Sequence, residues 1–279
     1  MSPLPKVSPA VARRRAIFLT SSLVVLILAV GALFLGARNY LAQGQLPLPG
    51  LPEAGAAEQQ NAVAPPECTL LVSGSTVGLS LAQARVLTDQ AARDQNAAQP
   101  VSDTEARVRV LWPAESAQAA GVADALRGLT GPALDCSATL GPAQVQAIGP
   151  MGLTPRAESV WNAVAKVFGT LPAGGFKPGG VTTGHIPGSS HYEGRAIDYM
   201  YRPITPKSIR HGWVLAQWLV AHAEPLMIRT VIFDRKIWTP GPAGTDAWRT
   251  YTVTHGQVDD PSLQHLDHVH VDVLRNTGA

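Results

Sequence analysis

Residues His265 to Val273 read HLDHVHVDV, and the strict alternation of this run confines it to a β-strand with two unlike faces. Val269, Val271 and Val273 fall on one face, and His268, His270 and Asp272 on the other. An apolar core has no packing use for two imidazoles and a carboxylate on one side, so this strand is expected to pack on one face and line a polar site with the other. A second segment, SSHYEGRAID from Ser189 to Asp198, has a matching character. Gly194 permits a turn, after which Ala196, Asp198 and Met200 alternate with Ile197, Tyr199 and Tyr201. A loop histidine, His191, and a strand aspartate, Asp198, can thus converge on one point. All eight histidines of the chain lie from His185 onward, which says where any metal or acid/base chemistry would be. Three N/O donors with an open fourth position are what catalytic zinc requires.

Near the N-terminus, Ala16 to Leu35 reads AIFLTSSLVVLILAVGALFL, a run without charge. About twenty apolar residues suffice to span a hydrocarbon core of roughly 30 Å as a helix. Arg13, Arg14 and Arg15 precede it and only Arg38 follows closely, so the positive-inside bias keeps the N-terminus cytoplasmic and exports the rest. The run is longer than the 7–15 residues of a typical signal-peptide core and no clear A-x-A site follows, which favours an uncleaved anchor. The expected organisation is a cytoplasmic tail (1–15), a transmembrane helix (16–37), a flexible linker (38–66), a small extracytoplasmic module without a chemical motif (67–150) and a C-terminal domain (151–279). The 26 glycines and 23 prolines, and the Ala/Pro/Gly/Gln-rich stretch 42–66 in particular, fit a chain with such linkers.

In the small module, TLLVSG and ARVRVLW read as strands, and LSLAQARVLTDQAARDQ (with Ser80 as N-cap) and AESAQAAGVADALRGL as helices. In the C-terminal domain Thr154 and Pro155 open a helix with a stripe of Val160, Ala163, Val164 and Val167. RAIDYMYR, RTVIFDRKIW, AWRTYTV and DHVHVDVL read as strands, and HGWVLAQWLVAHAEPL as an apolar helix that buries Trp213 and Trp218. This order predicts an α+β domain, helices packed on a mainly antiparallel sheet. Cys68 and Cys136 do not have the short spacing of a metal pair; in an exported segment they are expected to form a disulfide, the alternative being two small core residues. A net charge of +2, with no basic cluster interleaved with aromatics, excludes a nucleic-acid partner.

Taken together, Ser189-x-His191-x6-Asp198 followed by His268-x-His270 resembles the LAS metallopeptidases, the group of lysostaphin, D-Ala-D-Ala peptidases and hedgehog. The resemblance covers about Leu153 to Leu274 and is nearest to actinobacterial exported carboxypeptidase-like C-terminal domains. It implies that His191, Asp198 and His270 hold Zn²⁺ and that the domain acts on peptidoglycan stem or cross-bridge peptides, as a D,D-carboxypeptidase or endopeptidase. It leaves two candidates for the catalytic base, His268 and Asp267. His265 fits an H-x-x-H-x-H pattern seen in murein endopeptidases, and Lys177, in Gly175-Phe176-Lys177-Pro178, stands where the family places an arginine. Lys177, Ser189 and His265 are therefore candidate substrate contacts, although lysine cannot make the bidentate fork of arginine. That substitution leaves open a second reading, a non-catalytic zinc-containing module that binds wall peptides.

Overall fold

Ser73 and Gly74, both with positive φ (49° and 83°), form the two-residue turn that joins β1 (Cys68–Val72) to β2 (Ser75–Leu79). Such a turn matches the natural twist of an antiparallel hairpin. β3 (Leu134–Cys136) pairs with the other edge of β1 and sets Cys136 directly opposite Cys68, where the two form a disulfide. This computed structural model describes residues 66–96, 103–111, 118–142, 144, 146–241 and 248–275. The expected tail, transmembrane segment and all but the last residue of the linker lie outside them. No helix among the described residues is long and apolar enough to cross a membrane.

Three helices accompany the small sheet. α1 (Leu81–Asn96) starts from a reciprocal cap, in which Gln83 N donates to Ser80 Oγ and Ser80 N to Gln83 Oε1. α2 (Asp103–Leu111) corrects the expectation of a strand over ARVRVLW. Its Val108 is fully buried while Val110 is 72% exposed, a disposition that no strand face would give. Asp94, reaching from α1, accepts from both the backbone N and Oγ1 of Thr104 and so ties down the helix start, and a Glu105–Arg109 pair bridges one turn. α3 (Ala119–Leu126) follows, shorter than expected.

α4 (Pro155–Phe168) opens as expected, with Thr154 Oγ1 accepting from Ala157 N and Pro155 in the first turn. Its buried face is Ala157, Val160, Val164 and Phe168; Ala163 and Val167 are only half-buried, so the stripe is rotated from the expected one. α5 (Pro206–Ala221) carries a reciprocal Thr205/Ser208 cap and is buried without interruption from Gly212 to Ala221. It lies against β6 (Ile228–Phe233) so closely that a Cβ on Gly212 would stand 2.2 Å from Phe233 Cζ. The second sheet also contains β4 (Ala173–Gly174), β5 (Ala196–Met200), β7 (Lys236–Trp238), β8 (Trp248–Thr250) and β9 (His268–Val273). Its order is β4-β5-β9-β6-β7-β8 and every neighbouring pair is antiparallel. The chain is therefore α+β, with two antiparallel sheets and five helices among the described residues.

The boundary expected at residue 150 runs between the two sheets, yet one hydrophobic core includes residues from both sides of it. Gln217 of α5 is fully buried and joins them: its Nε2 donates to the carbonyls of Ala125 and Leu126, and its Oε1 accepts from Leu134 N. Trp218 donates to Asp89, Trp238 to Asp135 and Trp248 to the Leu134 carbonyl. Trp218 and Trp238 are buried and Trp248 is half-buried, and each indole satisfies its N–H across the same seam.

Two measurements check this fold. Freshly isolated protein should show no free thiol, and replacing both cysteines with alanine should lower stability by about 2–4 kcal/mol in denaturant unfolding. Gln217→Leu keeps the volume but leaves the Leu134 N–H and the Leu126 carbonyl without their partner (the Ala125 carbonyl still accepts from Gly128 N), and should cost about 2–3 kcal/mol in the same assay.

Candidate metal centre

Antiparallel pairing of β5 with β9 places Asp198 opposite His270 and Met200 opposite His268. Directly paired residues share a face, so the acid and the imidazole meet without any loop to position them. His191 reaches the same point from the adjoining 3-10 turn, Ser190–Glu193. Ser189 caps that turn by accepting from His191 N, and Gly194, in the left-handed region at φ 63°, closes it and returns the chain into β5. The resulting triangle is small: His191 Nε2 to Asp198 Oδ1 is 3.2 Å, His191 Nε2 to His270 Nδ1 is 3.2 Å, and His270 Nδ1 to Asp198 Oδ1 is 2.9 Å. Three ligands around one tetrahedral ion with bonds of ~2.0–2.1 Å are separated by roughly 3.3 Å. The donor set and its spacing therefore fit a metal ion.

The surroundings favour that use. His191 Nδ1 faces the Gly175 carbonyl at 2.8 Å and, since a carbonyl only accepts, donates to it, which leaves Nε2 as the ring atom turned into the triangle. Gly175 itself (φ 79°) cannot carry a side chain, because a Cβ would lie 2.3 Å from His191 Cε1 and 3.0 Å from Asp198 Oδ2. Burial pushes the Asp198 pKa up, but hydrogen bonds from His191 and His270 outweigh it and hold the carboxyl well below the usual range. Burial alone would lower the His270 pKa, yet Asp198 and Asp272 raise it to about 9. Two buried acids beside these imidazoles make the point attractive to a cation.

His185 adds a further donor. Its ring stacks on His191 at 4.0 Å between centroids, and His185, His191 and Asp198 bring ligand atoms within 4.8 Å of one another, a group able to hold a metal ion. Tyr192 fixes the His185 backbone, with its OH bonded to both the N and the carbonyl of that residue.

Beside the triangle stands His268, with Nε2 at 3.7 Å from Asp198 Oδ1. Its Nδ1 is 2.7 Å from Asp267 Oδ1, and Asp267 Oδ2 accepts from Arg202 Nε and Ser262 Oγ. Burial raises the Asp267 pKa, but these three partners outweigh it and keep the carboxylate ionised. An ionised carboxylate can only accept, so His268 Nδ1 donates to Asp267 and Nε2 is turned toward the triangle. Asp267, the other candidate base, has its oxygens taken up in holding His268 and Arg202.

These groups open on a cleft of about 630 Å³. Ser189 and His265 line it; Lys177 is exposed and is not part of the lining. His265 has φ 54°, lies 4.7 Å from the His268 ring, and is pushed by burial, and then by His270 and His268, to a pKa of about 3, so it stays neutral. His211 and His222 lie outside the lining, His255 within it, and Trp238 is fully buried. The roles of Gly175, Arg202 and Ser262 have no local signature: each acts on a residue in another part of the chain. Asp272 is visible in the alternation of β9, and it accepts from Ser190 Oγ and Arg229.

An α+β domain with a buried His/His/Asp cluster is the class that fold and site define. Residues 149–261 match the family model described as VldE, C-terminal domain. The match includes His191 and Asp198 and ends before the β9 histidines. No curated protein and no solved structure matches the chain.

The geometry around Gly175 yields a test. Gly175→Ala should lower metal affinity about 10–100-fold, the loss typical when a partner that orients a ligand histidine is displaced. Titration of the purified protein with a divalent metal, alongside its circular dichroism spectrum, distinguishes this from unfolding.

Proposed function

We propose that the chain is an LAS-type zinc peptidase that acts on peptidoglycan peptides, tethered to the membrane by residues 16–37 with the domain outside. The observation that carries this reading is the His191–Asp198–His270 triangle, with edges of 2.9–3.2 Å, beside a histidine oriented by its own carboxylate. The Ser189-x-His191-x6-Asp198 and His268-x-His270 pattern supports the LAS assignment. The disulfide and the arginines before the apolar run support export.

Zinc held there would supply Lewis acidity toward a peptide carbonyl and bring the pKa of a water toward ~7. The chain's own residues do the rest. His268 Nε2 takes the proton of the attacking water and can return it to the leaving amine. Asp267 keeps the His268 proton on Nδ1 and stabilises the imidazolium, while Arg202 and Ser262 hold Asp267 in place. His265, neutral and against His268 and His270, narrows the wall on that side without competing for the proton.

Digestion of purified sacculi, with and without chelator, tests the reading. Release of muropeptides that chelator abolishes and zinc restores is the expected result. His268→Ala should retain zinc by elemental analysis and lose about 10²–10⁴ in rate, whereas His191→Ala and His270→Ala should lose most of the metal. Asp267→Asn should fall about 10–100-fold, as expected of a group that orients another. Zinc-loaded parent protein that binds wall peptides but releases nothing would replace the peptidase with the non-catalytic binding module.

A further inference from the structure

Arg229 sits at an irregularity in the central part of the sheet. Along β6, Ile228 pairs with Val273 and Thr230 pairs with Asp272, so Arg229 is an extra residue opposite a single step of β9. A bulge of this kind re-aims a side chain that regular pleating would send to the opposite face. Ile228 is fully buried on the core side, while Thr230 and Ile232 pair with Asp272 and His270 on the metal side. Arg229 is thereby turned to the face of Asp272, and it lines the same cleft as the metal triangle.

Its contacts leave it half used. Nε donates to Asp272 Oδ1 at 3.2 Å and Nη2 to Oδ2 at 3.4 Å, but among the described residues Nη1 has no hydrogen-bond partner and 49% of the side chain is exposed. Asp272 Oδ2 is in turn 3.8 Å from His270 Nε2, so the guanidinium stands one carboxylate away from an imidazole of the triangle. The other cation of the cleft wall, Arg195, is buried and committed to Glu193 and the Val273 carbonyl. Lys177 does not reach the cleft.

We infer that Arg229 is a specificity residue that binds a carboxylate of the substrate close to the scissile bond. The inference rests on the peptidase reading for its substrate but not for its chemistry: a planar guanidinium held by one edge is pre-organised to offer the other to a planar anion. It directs the cleft toward peptides with a free carboxylate near the cut, either the C-terminal group or an acidic side chain of the stem.

The test uses the zinc-loaded full chain and three N-acetylated stem peptides ending in D-Ala-D-Ala: one with free carboxylates, one with a C-terminal carboxamide, and one with its acidic side chain amidated. Equilibrium binding by calorimetry and kcat/KM are both measured. Charge-assisted hydrogen bonds of about 1.5–3 kcal/mol correspond to roughly a 10- to 100-fold preference for the free acid over one of the two amides, expressed mainly in Kd and KM. Arg229→Gln should bring that ratio near one while zinc content is kept. The pair Arg229→Gln with Asp272→Asn, which leaves no unpaired buried acid, should do the same and covers failure of the single variant to fold. Equal binding of all three peptides by the parent overturns the inference, as does a ratio that survives either variant or loss of zinc in both. Arg229-dependent binding of the acid without any turnover would remove the peptidase reading and leave this inference standing.

Discussion

The pairing of β5 with β9 is the interaction on which the site depends. Sheet register moves in steps that flip every side chain between faces, so a slip of one residue would send both His270 and His268 into the core and bring Val269 and Val271 to the cleft. The three valines of β9, each at most 1% exposed, prevent that slip, because they cannot be given up to solvent without losing their burial. The geometry of the triangle is thus held by apolar packing on the far side of the same strand. His191 is added by a capped turn whose exit Gly194 controls, and its ring is set by a carbonyl that only a glycine at 175 can bring so near.

Most of the site was legible because its residues come in two short segments whose periodicity is local. HVHVDV alternates, and SSHYEGRAID contains a turn residue and the start of a strand, so faces could be assigned without knowing the partners. The disulfide was legible from the predicted topology. The hydrogen bonding of Asp267 was not, since it depends on Arg202 and Ser262 arriving from elsewhere to occupy the carboxylate. Lys177 was placed by its position in a motif, whereas Arg229, the exposed cation of the cleft wall, depends on a bulge that no sequence period reveals. ARVRVLW illustrates the opposite failure. Its alternation is real, but the cap supplied by Asp94 and the single buried valine decide for a helix.

The division of labour between the two sheets follows from α5. A helix buried along ten consecutive residues must be covered on all sides, and the six-stranded sheet covers only part of it. The β1–β3 sheet and its helices supply the rest, with Gln217 and the Trp218, Trp238 and Trp248 indoles matching polar groups across the seam. A region without a chemical motif of its own is in this way a structural half of the unit that carries the site.

β9 comes after every other strand of the sheet in chain order but lies inside it, between β5 and β6. Until it inserts, β5 and β6 each present an unpaired edge, and the acid at 198 and the imidazole at 191 lack the imidazole of His270. Closing the sheet and completing the His191–Asp198–His270 triangle are one event, joining strands that are about seventy residues apart. A chain emerging in stages would therefore pass through forms that are aggregation-prone and short of the His270 imidazole for the same reason. A divalent ion captured by the finished triangle would act as a latch on the last strand to arrive.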